Sequence, residues 1–184
     1  MHTRIQELLD HLSTTHQLLL AAVEGVPLAL RGRRPAPERW SVAEVLQHLA
    51  IVDGRIAANL TRRVAAARSD GIGPDRDTSA ILPTIDLSRL RDRTTKVAAP
   101  PPILPLETLD EATARQRLES AHATLCDAVR ASDGVDLVSL TTPHPLFGEM
   151  HLYQWIAFAG GHEVRHAAQI TEIGDALNAN AGRP

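Results

Sequence analysis

The chain has 184 residues, 43% of them hydrophobic, and a formal net charge of −3, which suits a globular domain with a core and excludes a disordered chain. Its basic residues, 19 in all and every one an arginine except Lys96, form no track that would follow a phosphate backbone, so a nucleic-acid-binding role is not expected. The single cysteine, Cys126, excludes an internal disulfide framework, and the longest apolar run, Leu18 to Val23, is too short to cross a bilayer.

The dominant period is helical. In the first segment Ile5, Leu8, Leu9, Leu12, Leu19 and Val23 recur at three- and four-residue steps. A second helix is predicted to begin at Ser41, which with Glu44 forms a capping box; its apolar stripe runs Val45, Leu49, Val52, Ile56, Leu60. Residues 68 to 107 hold six of the twelve prolines and read as a long crossover that straps the bundle, with one or two helical turns inside it at Leu87 to Arg93. A third helix fits Thr108 to Ala131, with Leu118, Ala121, Leu125 and Val129 on one side and Asp133-Gly134 ending it. Cys126 falls inside this pattern and is expected to be a small buried hydrophobe. Ser132 to Gly148, containing "PHPLFG", reads as a second loop. A fourth helix runs from Leu152 to Leu177, and no segment shows convincing strand alternation. The expected fold is all-α: one domain over residues 1–184, a four-helix bundle with a long Pro-rich crossover between helices two and three. The N-terminal stretch lacks the layout of a secretion signal, so a soluble cytoplasmic protein with no membrane partner is expected.

"HEVRH", residues 162 to 166, has the His-Glu-x-x-His spacing of zinc proteases. The two imidazoles lie one turn apart, about 6 Å along the axis, and both continue the inward stripe of the last helix. The third protease ligand is missing: position 172 is Glu172 and position 169 is Gln169, where that signature needs histidine and glycine. A third ligand must then come from upstream, and His48, mid-way along the second helix beside Leu49, is the candidate. Three neutral nitrogens cancel none of the charge of a divalent ion and leave a coordination position open, an arrangement more catalytic than structural.

"WSVAEVLQHL" (40–49), "HPLFG" (144–148) and "HEVRHAAQI" (162–170), in this order, resemble the DinB-like superfamily, in the branch with YfiT-type proteins. The resemblance implies a four-helix bundle with a long crossover, commonly a homodimer, and one divalent metal such as zinc or nickel on His48, His162 and His166. It further implies a small-molecule substrate and metal-dependent transfer of a low-mass thiol (bacillithiol, mycothiol or glutathione), or metal-dependent hydrolysis. Where many members read His-His-Arg-Gly-Gln, this chain reads Arg165-His166-Ala167-Ala168-Gln169, which leaves the thiol unspecified. A third alternative is a non-catalytic protein that uses the metal to hold a ligand.

Among the neighbours, Glu163 is a candidate general base by analogy with the proteases, although it is offset about 100° from His162. Gln169 shares the ligand face and is a candidate for orienting a bound water. Glu44 is a candidate outer acceptor for His48 besides its cap. His16 interrupts an apolar stripe, either as a core histidine or as a pocket residue, and His144 is a loop residue within possible reach of the open metal face. Gly160-Gly161 marks either a tight helix contact or room for a ligand. A di-iron rival would use Glu119 with His122, Glu163 with His166, and Glu7 and Glu44 as single carboxylates, but leaves His48 and His162 unexplained.

Overall fold

The computed structural model describes residues 1–94, 100–105 and 107–181. Four long helices form the bundle: α1 (Thr3–Glu24), α2 (Val42–Ser69), α4 (Glu111–Ala131) and α5 (Leu152–Ala181), with a single turn, α3 (Ser88–Arg91), inside the crossover. The most extensive contacts run between α2 and α4 and between α1 and α5; α2 against α5 and α1 against α4 close the bundle. Among the described residues, no helix is long and apolar enough to cross a membrane.

Local chemistry sets the helix ends. Ser41 Oγ accepts the Glu44 N–H while the Glu44 carboxylate accepts the Ser41 N–H, the expected capping box. The third long helix starts at Glu111 rather than Thr108, because Asp110 takes the cap and its carboxylate accepts the Thr113 N–H. At the head of α5, Gln154 Oε1 accepts the His151 N–H and His151 Nδ1 accepts the Gln154 N–H, a reciprocal cap that a Ser/Thr-based rule does not look for.

The structure also contains a feature the pattern did not show. β1 (Thr141–His144) pairs antiparallel with β2 (Gly148–His151), in register Thr141 with His151 and His144 with Gly148. Four-residue strands, one of them carrying Pro143, are too short for an alternation signal. Gly148 supplies the positive φ of 72° that closes the three-residue turn. The Trp155 indole N–H donates to the Thr142 carbonyl at 3.1 Å and fixes the hairpin to α5.

Two apolar clusters fill the interior. One holds Leu8, Leu12, Ile56, Leu60, Leu125 and Ile156; the other holds Leu19, Val45, Leu49, Leu118, Ile170 and Ile173. Along the four long helices the change of cluster falls at one level: between Leu12 and Leu19, Leu49 and Val52, Leu118 and Leu125, Ala159 and Ile170. At or beside that level lie Thr15 and His16 on α1, His48 and Asp53 on α2, His122 on α4, and His162, Glu163 and His166 on α5. The helical stripes therefore build a polar belt between two oily halves.

The crossover from α2 to α4 is tied down at both of its described ends; residues 95–99 and 106, part of the expected Pro-rich strap, lie outside the described residues. Arg4, buried on α1, pairs with Asp75 at 2.7 Å and with Asp77, and donates to the Ser79 carbonyl at 2.8 Å. Glu7 accepts the N–H groups of Ile81 and Leu82. Further along, the Arg165 guanidinium donates to the carbonyls of Leu90 and Asp92. The returning limb passes over α2, where Arg55 donates to the Pro102 carbonyl.

The paired glycines of α5 serve close packing on two sides. A Cβ on Gly160 would lie 2.5 Å from His11 Nε2 and 2.9 Å from Thr15 Oγ1, so α1 packs directly on this backbone. A Cβ on Gly161 would meet Leu90 Cδ2 at 2.9 Å, so α3 docks there. The two positions should respond differently to alanine. The His11 ring is held by the Ala157 carbonyl, and Thr15 Oγ1 by the carbonyls of His11 and Leu12. Gly160→Ala is therefore expected to lower unfolding free energy by about 1–3 kcal/mol. Gly161→Ala meets only the side-chain ends of Leu90 and Leu87, which can turn aside, and gains helix propensity of up to about 1 kcal/mol, so it should be close to neutral. Urea denaturation of the two variants checks the contrast.

Candidate metal centre

The structure brings His48 of α2 together with His162 and His166 of α5. All three rings are buried. His162 Nε2 lies 3.4 Å from His48 Nε2 and 3.0 Å from His166 Nε2, and all three nitrogens fall within 4.8 Å of one another. Nitrogens held about 2.0–2.1 Å from one tetrahedral ion are about 3.4 Å apart, so this spacing fits a shared cation.

The outer nitrogens set the tautomers. His48 Nδ1–H donates to the Ile103 carbonyl at 2.7 Å, and His166 Nδ1–H donates to Gln169 Oε1 at 2.8 Å. Both rings then present unprotonated Nε2 atoms to the centre. One proton on His162 Nε2 would satisfy one of those facing lone pairs; a cation satisfies all three. Burial is the largest cause holding all three rings below the usual histidine pKa, well below it for His162 and His166, where the neighbouring imidazoles add to it. The rings are therefore neutral, the form that binds metal.

Aromatic packing encloses the cluster. Phe158 stacks on His162 with centroids 5.3 Å apart, and Trp40 lies 5.0 Å from the His48 ring. His144, at the tip of the hairpin, packs on Phe158, Trp155 and Phe147 with centroids 4.8 to 5.0 Å away. The hairpin thus carries the "HPLFG" segment to the His162 side of the centre.

Several expectations for the neighbours change. Glu163 does not join the three histidines; buried and 1% exposed, it faces α1 and α4. One of its oxygens lies 2.7 Å from His16 Nδ1 and 3.6 Å from His122 Nδ1, and the other accepts from Thr15 Oγ1 at 3.3 Å. The roughly 100° step from His162 turns it into the belt instead of toward the metal face. Glu44 is not the outer acceptor of His48: its carboxylate is taken by Ser41 and Arg34, and the Ile103 carbonyl fills that role. Gln169 is engaged with the His166 ring. The di-iron set does not assemble, since Glu119 pairs with Arg115, Glu7 binds the strap and Glu44 caps α2. Cys126 is half-buried, with Sγ 3.5 Å from His122 Nε2. Asp53 is a further buried polar group that the sequence signals only by an aspartate four residues after Leu49, beside the inward stripe of α2. It is 1% exposed, and neither carboxylate oxygen has a hydrogen-bond partner.

A helical bundle with three neutral histidines converging at mid-height, two on the last helix and one on the second, fits a metal-binding class of protein. Residues 11–170 match the family model of the DinB superfamily. The chain belongs to that superfamily. Over 142 residues it is 30% identical to the uncharacterized protein YuaE of Bacillus subtilis (strain 168), covering 77% of this chain and 81% of that one. No solved structure matches the chain.

Proposed function

We propose that this protein is a divalent-metal-dependent enzyme that joins a low-mass thiol to an electrophilic small molecule at the His48–His162–His166 centre. The observation that supports the reading is the donor set. All three facing groups are neutral nitrogens, so a divalent ion held there keeps its full charge and an open coordination position. When bound, such an ion, zinc or nickel in this reading, lowers the pKa of a thiol or a water at that position.

The chain's own residues prepare the site. Ile103 and Gln169 fix two rings in the ligating tautomer. Phe158 and Trp40 shield two of the rings from water. A cavity of about 460 Å³ lies along the same limb of the strap, lined by Gln47, Ile51, Pro102, Leu104, Glu107 and Arg117, with none of the three histidines in its wall. The reading includes a cytoplasmic homodimer.

The test is conjugation of monochlorobimane with glutathione, mycothiol or bacillithiol by zinc- or nickel-loaded protein. The expected result is thiol-dependent turnover that EDTA abolishes and metal restores. A product carrying oxygen in place of sulfur would assign hydrolysis instead, and bound metal with neither product formed would overturn the enzymatic reading.

A further inference from the structure

The polar belt holds a second constellation that the three-histidine centre does not use. His16 of α1, His122 of α4 and Glu163 of α5 bring their ligand atoms within 4.8 Å of one another. The two imidazole rings are stacked, centroids 3.8 Å apart, and both present Nδ1 to the same Glu163 oxygen. His122 Nε2 is directed at Cys126 Sγ, 3.5 Å away, and its Nδ1, 3.6 Å from the Glu163 oxygen, has no hydrogen-bond partner.

Asp53 of α2 is the independent sign. Its carboxyl group is enclosed in the bundle, where burial and then the Glu163 charge push its pKa well above the usual range, and neither oxygen receives a hydrogen bond. A buried carboxylate with no donor is costly, and an ion not yet accounted for is a recognised reason for one to persist. Each of the four long helices therefore contributes one group: imidazole, carboxylate, imidazole, carboxylate.

We propose that this cluster is a second divalent-cation site, taking a first-row transition ion such as Zn²⁺, with His16, His122 and Glu163 as ligands and Asp53 as the balancing carboxylate. The donor set suits imidazole-preferring ions that also accept oxygen. Two carboxylates cancel the charge of the ion, in contrast with the three-histidine centre, where nothing does. Each ring must release the proton it directs at Glu163 to solvent and tilt out of the stack to bring the freed lone pair onto the ion. The site is closed and links all four helices, which makes the ion structural, and its binding energy adds to the stability of the bundle.

Zn²⁺ content of the purified full chain, measured by elemental analysis after equilibration and dialysis, tests this. The expected stoichiometry is two ions per chain in the wild type, one in His48→Ala, one in His122→Gln, and none retained in the double variant. Zn²⁺ should also raise the melting temperature of His48→Ala, and its affinity for that variant should exceed its affinity for the double variant by at least 100-fold. One ion in the wild type and none in His48→Ala, with no thermal response to Zn²⁺, would overturn the proposal while leaving the three-histidine centre intact. One ion in both wild type and His48→Ala, lost in His122→Gln, would support this site and remove the other. Asp53→Asn is the second variant should His122→Gln fail to fold: weakened Zn²⁺ binding in its His48→Ala background supports the proposal, and unchanged binding counts against it.

Discussion

His48→Ala is expected to remove one equivalent of bound Zn²⁺ per chain and to weaken binding at the three-histidine centre by at least about 100-fold, more than loss of an outer-shell partner usually costs. The remaining ligands would be His162 and His166, one turn apart on a single helix, and two neutral imidazoles hold a divalent ion poorly. The variant should still fold: it shortens one side chain between Leu46 and Leu49, and leaves the Ile103 carbonyl without its donor, a loss of about 1–3 kcal/mol. Competition with a chromophoric chelator measures the affinity. Undiminished binding in a folded His48→Ala chain would refute the ligand assignment.

The second large effect concerns Glu163. Removing one partner of a buried charged network costs about 3–5 kcal/mol, because the remaining group is left uncompensated. Glu163→Ala should lose stability on that scale in the metal-free chain, whereas Glu163→Gln, which keeps an acceptor for His16, should lose less. A pH signature separates charge from packing. Burial acts to lower the His122 pKa, but contacts with Cys126 and with the Glu163 carboxylate outweigh it and raise it to about 10. A raised histidine pKa stabilises the fold fully below the unfolded value, about 6.5, and the contribution is lost as pH climbs through about 10. Burial acts to raise the Glu163 pKa, but the nearby His122 ring and the hydrogen-bonded His16 overcome it and hold it below the ordinary value of 4.5. Its contribution is present above that value and is lost as pH falls through the lower folded value. The wild type should therefore lose stability from this pair on both sides of mildly acidic pH, and Glu163→Gln should flatten the alkaline limb. Guanidinium unfolding at pH 5.5, 7.5 and 9.5 checks it; identical pH profiles in wild type and Glu163→Gln would count against the charged network.

Much of this was written in side-chain periodicity. The stripes of leucine and valine located the four long helices, Ser41 and Glu44 marked the start of α2 to the residue, and the inward placement of His48, His162 and His166 anticipated their convergence. Three kinds of information were not legible. A main-chain acceptor such as the Ile103 carbonyl has no residue signature, so in the sequence the outer partner of His48 reads as Glu44, the acidic side chain one turn before it. The direction of Glu163 depends on which helices flank α5, and only the packing order of the bundle turns it to α1 and α4. The glycine pair is ambiguous in sequence because an absent side chain reports a near neighbour without naming it; the structure supplies His11 and Thr15 on one side and Leu90 on the other.

The Ile103 carbonyl has one more consequence. The peptide that keeps His48 in its ligating tautomer belongs to the crossover and not to the bundle, so the grip on an ion and the seating of that peptide are two readings of one equilibrium. Prying the segment away, by a bound molecule or by a cut in the chain, would free the ring to swing and quicken ion escape. By reciprocity an ion in place would protect the backbone around residues 101 to 104 from proteases and from amide exchange, although it touches none of those residues.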